Sequence, residues 1–137
     1  MKVYPSGDIY ILVLEPGDEI IESIKKFAKE NDFHGYFFGI GAVRNPEIGY
    51  FDLEKKEYVI KSLEGEFEVT SLIGNVSRDK NGEVIVHAHI TIGDKEYRVF
   101  GGHLIKAVVS VTLELFCGIT RRIMRKRDEK TGLKIIS

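Results

Sequence analysis

The amino-acid sequence predicts an α+β domain in which one N-terminal helix packs on a mostly antiparallel sheet or barrel. Three observations predict it. Only Asp18 to Asn31 carries apolar residues at clear helical spacing. After that segment, strand-like runs alternate with turn residues as far as Cys117. No Pro-, Gly- or Ser-rich linker divides the 137 residues, a length that suits a single domain.

Asp8 to Leu14 (DIYILVL) is apolar and β-branched, reads as a strand, and is ended by Glu15-Pro16-Gly17. In the helix, Ile20, Ile21, Ile24, Phe27 and Ala28 share one face. Asp18, Glu19 and Glu22 sit near its start and Lys25, Lys26 and Lys29 toward its end, which suits the helix dipole. Asn31 and Asp32 stop it. Tyr36 to Val43 is apolar on both faces, as an interior strand is. Its Gly39 and Gly41 weaken a strand unless something packs closely against them. Asn45-Pro46 breaks the run. Glu47 to Asp52 and Lys56 to Ser62 are shorter strands, followed by Gly65 to Val76 and a turn with the hairpin pair Asn81-Gly82. Val84 to Gly93 and Glu96 to Gly102 form a further hairpin around Asp94. In Ala107 to Cys117, strict alternation sends Ala107, Val109, Val111, Leu113 and Leu115 to one face and Ser110, Thr112 and Glu114 to the other.

Composition excludes several classes. A hydrophobic fraction of 43% is too high for a disordered chain. No apolar run reaches the roughly 18 residues of a membrane helix, so no membrane partner is expected. The N-terminus lacks the apolar core of a signal peptide, and a lone Cys117 supports no internal disulfide; both point to the cytoplasm. The net charge of −1 hides a division: residues 1–120 hold 13 basic and 19 acidic side chains, residues 121–137 hold 7 and 2. A wholly basic nucleic-acid binder is unsupported, while a basic arm is not.

Chemistry concentrates in one block. His87 and His89 lie two apart on a strand and so face the same side, opposite to Val86, Ala88, Ile90 and Ile92. His103 follows across the hairpin. With a three-residue loop of Asp94, Lys95 and Glu96, Gly93 pairs with Tyr97 and His87 stands directly opposite His103. A two-residue loop would put His103 on the other face. Three convergent imidazoles are the ligand set of many zinc sites, with a fourth position open. The competing reading is a His-rich polar face or a subunit interface. Glu114 or Glu68 could supply a fourth ligand or an acid/base, or be solvated. His34 is expected in a surface loop, and Cys117 as a small core residue. Gly39-Ile40-Gly41 lacks the third glycine and the following helix of a dinucleotide fingerprint. The tail holds Arg121, Arg122, Arg125, Lys126 and Arg127, five cations in seven residues. It could contact phosphates, or be a solvated terminus.

The blocks GIGAV (Gly39 to Val43), GEFEVTSLIGNV (Gly65 to Val76) and VHAHITIGDKEYRVFGGHL (Val86 to Leu104) resemble, in this order, those of the plants-and-prokaryotes-conserved (PPC) domain family. The resemblance runs from about Asp8 to Cys117. It implies a single domain over residues 1–120, with 121–137 an appended basic tail. The implied fold has one helix packed on a mostly antiparallel, highly curved β-sheet, assembled as a homotrimer and similar to acetolactate decarboxylase. Gly39, Gly41, Gly101 and Gly102 become structural motif positions. His87, His89 and His103 become the ligands of a divalent metal, zinc by preference. The resemblance leaves open a DNA-binding or regulatory oligomer and a metal-dependent small-molecule enzyme. The plant members' AT-hook is missing here.

Overall fold

The computed structural model describes residues 1–137. Its elements are β1 (Lys2–Ser6), β2 (Ile9–Leu14), α1 (Ile20–Glu30), β3 (Gly35–Asp52), β4 (Glu57–Ser62), β5 (Glu66–Arg78), β6 (Val84–Gly93), β7 (Val99–Ile119), β8 (Arg125–Arg127) and β9 (Lys134–Ile136). Seven strands run in the order β1-β2-β7-β6-β5-β3-β4, and β3 pairs with β7 as well. All these pairings are antiparallel. The double pairing closes β7, β6, β5 and β3 into a ring, so the expected α+β architecture takes the form of a strongly curved sheet. β8 and β9 make a separate two-stranded ribbon.

The helix forms where the apolar stripe lies. Ile20, Ile24, Phe27 and Ala28 are buried, and α1 packs against β6 and β7. Glu19 caps it: one carboxylate oxygen accepts the Glu22 N–H at 2.8 Å, and the other accepts the Ala107 N–H at 3.2 Å. One side chain therefore starts the helix and ties it to β7.

The observed strands are longer than the sequence suggests. β3 runs through Asn45-Pro46 in one 18-residue strand. Asn45 takes a left-handed φ of 47° and holds Gly65 through its side chain and its backbone. The register slips there without the strand ending. β7 likewise joins the expected Glu96–Gly102 and Ala107–Cys117 strands into 21 residues. Between Val109 and Leu113 it carries two residues more than β3 does between Val43 and Gly41. That irregularity turns Val111 outward, to 64% exposure, against the alternation expected of it. The sequence does not predict β1, because Lys2–Ser6 is mostly exposed and shows no apolar periodicity.

The basic tail is not a free terminus. The Arg78 N–H donates to the Ile123 carbonyl and the Ile123 N–H to His34 Nδ1, at 3.0 and 3.3 Å. His34 is consequently buried, contrary to its expected surface position.

Candidate metal centre

The centre sits where β6, β7, β4 and the tail meet. Ala88, Ile90 and Ile92 enter the core, which turns His87 and His89 to the opposite face of β6. His103 comes from β7. The hairpin between them has five turn residues, 94–98, closed by Asp94, whose Oδ1 accepts the N–H groups of Glu96 and Arg98 at 2.9 Å each. Gly93 therefore pairs with Val99, and His103 stands opposite His89, not His87. The longer loop moves the register by one pair but keeps the parity, so all three rings still share a face.

The imidazole centroids form a near-equilateral triangle: 5.1 Å for His87–His89, 5.3 Å for His87–His103 and 5.6 Å for His89–His103. One nitrogen from each ring falls within 4.8 Å of the others, with no carboxylate in the group. Close glycine packing shapes the approach: a Cβ on Gly102 would meet the Gly49 carbonyl oxygen at 2.9 Å, and one on Gly101 the Ile90 carbonyl oxygen at 3.2 Å. Tyr58 of β4 stacks on His103, with centroids 4.5 Å apart and 26° between the planes.

Two rings are biased to the neutral, ligating form. Burial, then the charges of His87 and His89, bring the His103 pKa from 6.5 down to about 4. His87 is lowered by burial first, then by Arg125 and His89. Three imidazoles with no carboxylate among them are a donor set that suits a borderline metal such as zinc.

The other candidates fall elsewhere. Glu68 pairs with Gly93 and Ala42, and Glu114 with Ile40 and Val13. Both are exposed and line a separate cavity with Thr70 and Thr112. The structure does not bring them to the histidines. Gly39 and Gly41 mark close backbone contact: an added Cβ would lie 2.3 Å from the Glu114 carbonyl oxygen and 2.1 Å from that of Thr112, respectively. Cys117 is buried, and burial raises its thiol to about 12, which leaves it inert. In the tail, Arg121, Arg122, Lys126 and Arg127 are exposed, but Arg125 is buried and turned toward His87, which withdraws it from any phosphate backbone. Tyr58, Asn75, Ser77 and Arg125 reach the site from sequence-distant strands. No local motif marks them.

The family model of the Plants and Prokaryotes Conserved (PCC) domain matches residues 1–120. Among solved structures, a plant- and prokaryote-conserved protein of Pyrococcus horikoshii is 38% identical, with a TM-score of 0.88 over 99% of this chain and 93% of that one. A metal-containing protein of Archaeoglobus fulgidus is 36% identical, with a TM-score of 0.86 over 100% and 99%. A candidate DNA-binding protein of Bacteroides thetaiotaomicron is 30% identical, with a TM-score of 0.94 over 99% and 96%. A bifunctional GlmU protein of Synechococcus is 24% identical over 93% of this chain; the chain spans only 20% of that relative's length.

Proposed function

This chain belongs to the Plants and Prokaryotes Conserved domain family, and from that premise we propose that it is a metal-binding protein acting on a small carbonyl or carboxylate compound. The observation that carries the reading is the convergence of three imidazole nitrogens within 4.8 Å. His87, His89 and His103 hold a divalent ion, zinc by donor chemistry. Such an ion polarises a bound carbonyl or lowers the pKa of a water. Tyr58 fixes the His103 ring by stacking, and the tail shields His87. The metal-containing Archaeoglobus relative supports the assignment. The protein works as a homotrimer in the cytoplasm. Elemental analysis of purified protein should find about one equivalent of metal per chain, lost in His87→Ala. Less than about a tenth of an equivalent, unchanged by that substitution, would overturn the reading.

A second reading rests on Arg121, Arg122, Lys126 and Arg127, which stand exposed on one short segment. They fit non-specific contact with phosphates, and the Bacteroides relative points the same way. Because residues 121–137 are built into the fold, the clean test replaces those four cations by Gln and leaves Arg125 in place. Binding to duplex DNA should weaken steeply with salt, and the substitutions should flatten that slope. No binding at low salt would remove this reading.

A further inference from the structure

Arg125 is a buried cation without a counter-ion. It is 6% exposed. Its Nε donates to Ser77 Oγ, its Nη1 to the Lys134 carbonyl and its Nη2 to Asn75 Oδ1, each at 2.8 Å. Nη2 also lies 3.4 Å from His87 Nδ1. Every partner is neutral. The neighbouring cations differ: Arg78 has Asp32 at 3.7 Å, and Lys134 has Asp79 at 2.9 Å and Glu83 at 3.4 Å. No ion pair includes Arg125, and no acidic group offsets the burial that lowers its pKa. A buried, unpaired charge is costly unless something occupies the site with it.

Arg125, His87 and His103 open onto one cavity of about 230 Å³, walled by Ile85, Val86, Leu133 and Ile135 and bordered by Tyr58 and Lys134. That volume is below the roughly 300 Å³ at which drug-sized pockets begin, and it suits a ligand of a few heavy atoms. We propose that this cavity binds a small oxyanion, a carboxylate or phosphate group, and that the Arg125 guanidinium selects it. The assignment rests on the metal-binding reading of the three histidines. A divalent ion on three imidazoles brings two more positive charges to a site where Arg125 is already unpaired and whose lining contains no acid. The tautomer chemistry leads the same way. If His87 binds an ion through Nε2, its Nδ1 carries the proton; if through Nδ1, that lone pair is used. Either way the contact from Arg125 Nη2 to Nδ1 is lost, and an N–H held beside the cluster becomes free for an anion. The Ser77, Asn75 and Lys134 contacts keep the guanidinium in place when that happens.

The test uses the full-length protein loaded with cobalt, whose visible spectrum reports ligand exchange, titrated with acetate, inorganic phosphate and acetamide. Either anion should shift the spectrum and bind roughly tenfold or more tightly than neutral acetamide, and the tighter of the two identifies the source of the oxyanion. Arg125→Gln should weaken that binding roughly tenfold or more while leaving the metal content unchanged. If Arg125→Gln does not fold, Arg125→Lys keeps the charge without the planar fork and should still weaken acetate binding about threefold. Anion binding unaltered in a folded, metal-loaded variant, or acetamide binding as well as acetate, would overturn the role of Arg125 and leave the metal site standing. Failure of the wild-type chain to take up metal would overturn both.

Discussion

His103 shows what a single residue contributes and what hides it from a sequence reading. Strand parity puts His87 and His89 on one face, and His103 joins them only because the hairpin loop has an odd number of residues. The partner of His103 does not follow from the sequence, because Asp94 closes a turn of five residues where three were expected, and a side-chain cap of that kind has no fixed spacing in sequence. Arg125 was misplaced for a related reason: a cation in a basic run looks solvated, and only the fold shows Ser77 and Asn75 waiting to accept from it. Burial of His103 also has a consequence for stability. Its pKa falls from 6.5 to about 4, and those of His87 and His34 are lowered as well, both chiefly by burial. Between pH 6.5 and about 4 the unfolded chain therefore takes up protons that the folded His103 refuses. The metal-free protein should lose stability as pH falls through that window and show little dependence on this group above it. Melting temperature followed against pH should fall less steeply in His103→Gln. An equal slope in the variant would show that His103 does not titrate in this way.

At the scale of elements, the helix and the hairpin succession β5-β6-β7 are legible in the sequence, while the strand ends and the β2–β7 and β3–β7 pairings are not. Asn45-Pro46 is a strong local breaker, yet β3 passes through it because β7 pairs with it on both sides of the break, with β5 as the second partner before it and β4 after it. Pairing across a closed ring outweighs one poor residue, which is redirected into a bulge. Gly39 and Gly41 are the positions in β3 where the backbone of β7 leaves no room for a side chain. A methyl at Gly41 would sit 2.1 Å from the Thr112 carbonyl oxygen and 2.7 Å from Leu113 Cα, neither of which can rotate away. Gly41→Ala should therefore cost about 1–3 kcal/mol, or more if the β3–β7 ladder parts. Denaturant unfolding measures it. A loss below about 0.5 kcal/mol would mean that the two strands can separate freely at this point.

At the scale of the whole molecule, the ring of strands leaves an apolar outer face. Phe38 and Phe116, 51% and 39% exposed, stack at 5.6 Å with 13° between their planes. Ile73 pairs with Phe38, and Ile40 follows two residues along β3; they are 62% and 59% exposed. Tyr36 and Ile119 extend the patch. One helix of 11 residues lies on the β6–β7 side and covers none of it. A contiguous apolar surface of this kind marks an interface. Ile73 also pairs with His89, the most open of the three histidines, so a copy docked on this face would reach the edge of the metal centre. The surface thus gives a physical motive for the trimer that the family resemblance implies. Its side chains point away from the core, so Phe38→Glu should leave each chain folded while placing a charge in the contact. Sedimentation equilibrium should give about three times the 15.5 kDa chain mass for the wild type and a monomer for Phe38→Glu. A wild-type protein that sediments as a monomer would contradict the trimer. A variant that remains trimeric would place the contact on some other face.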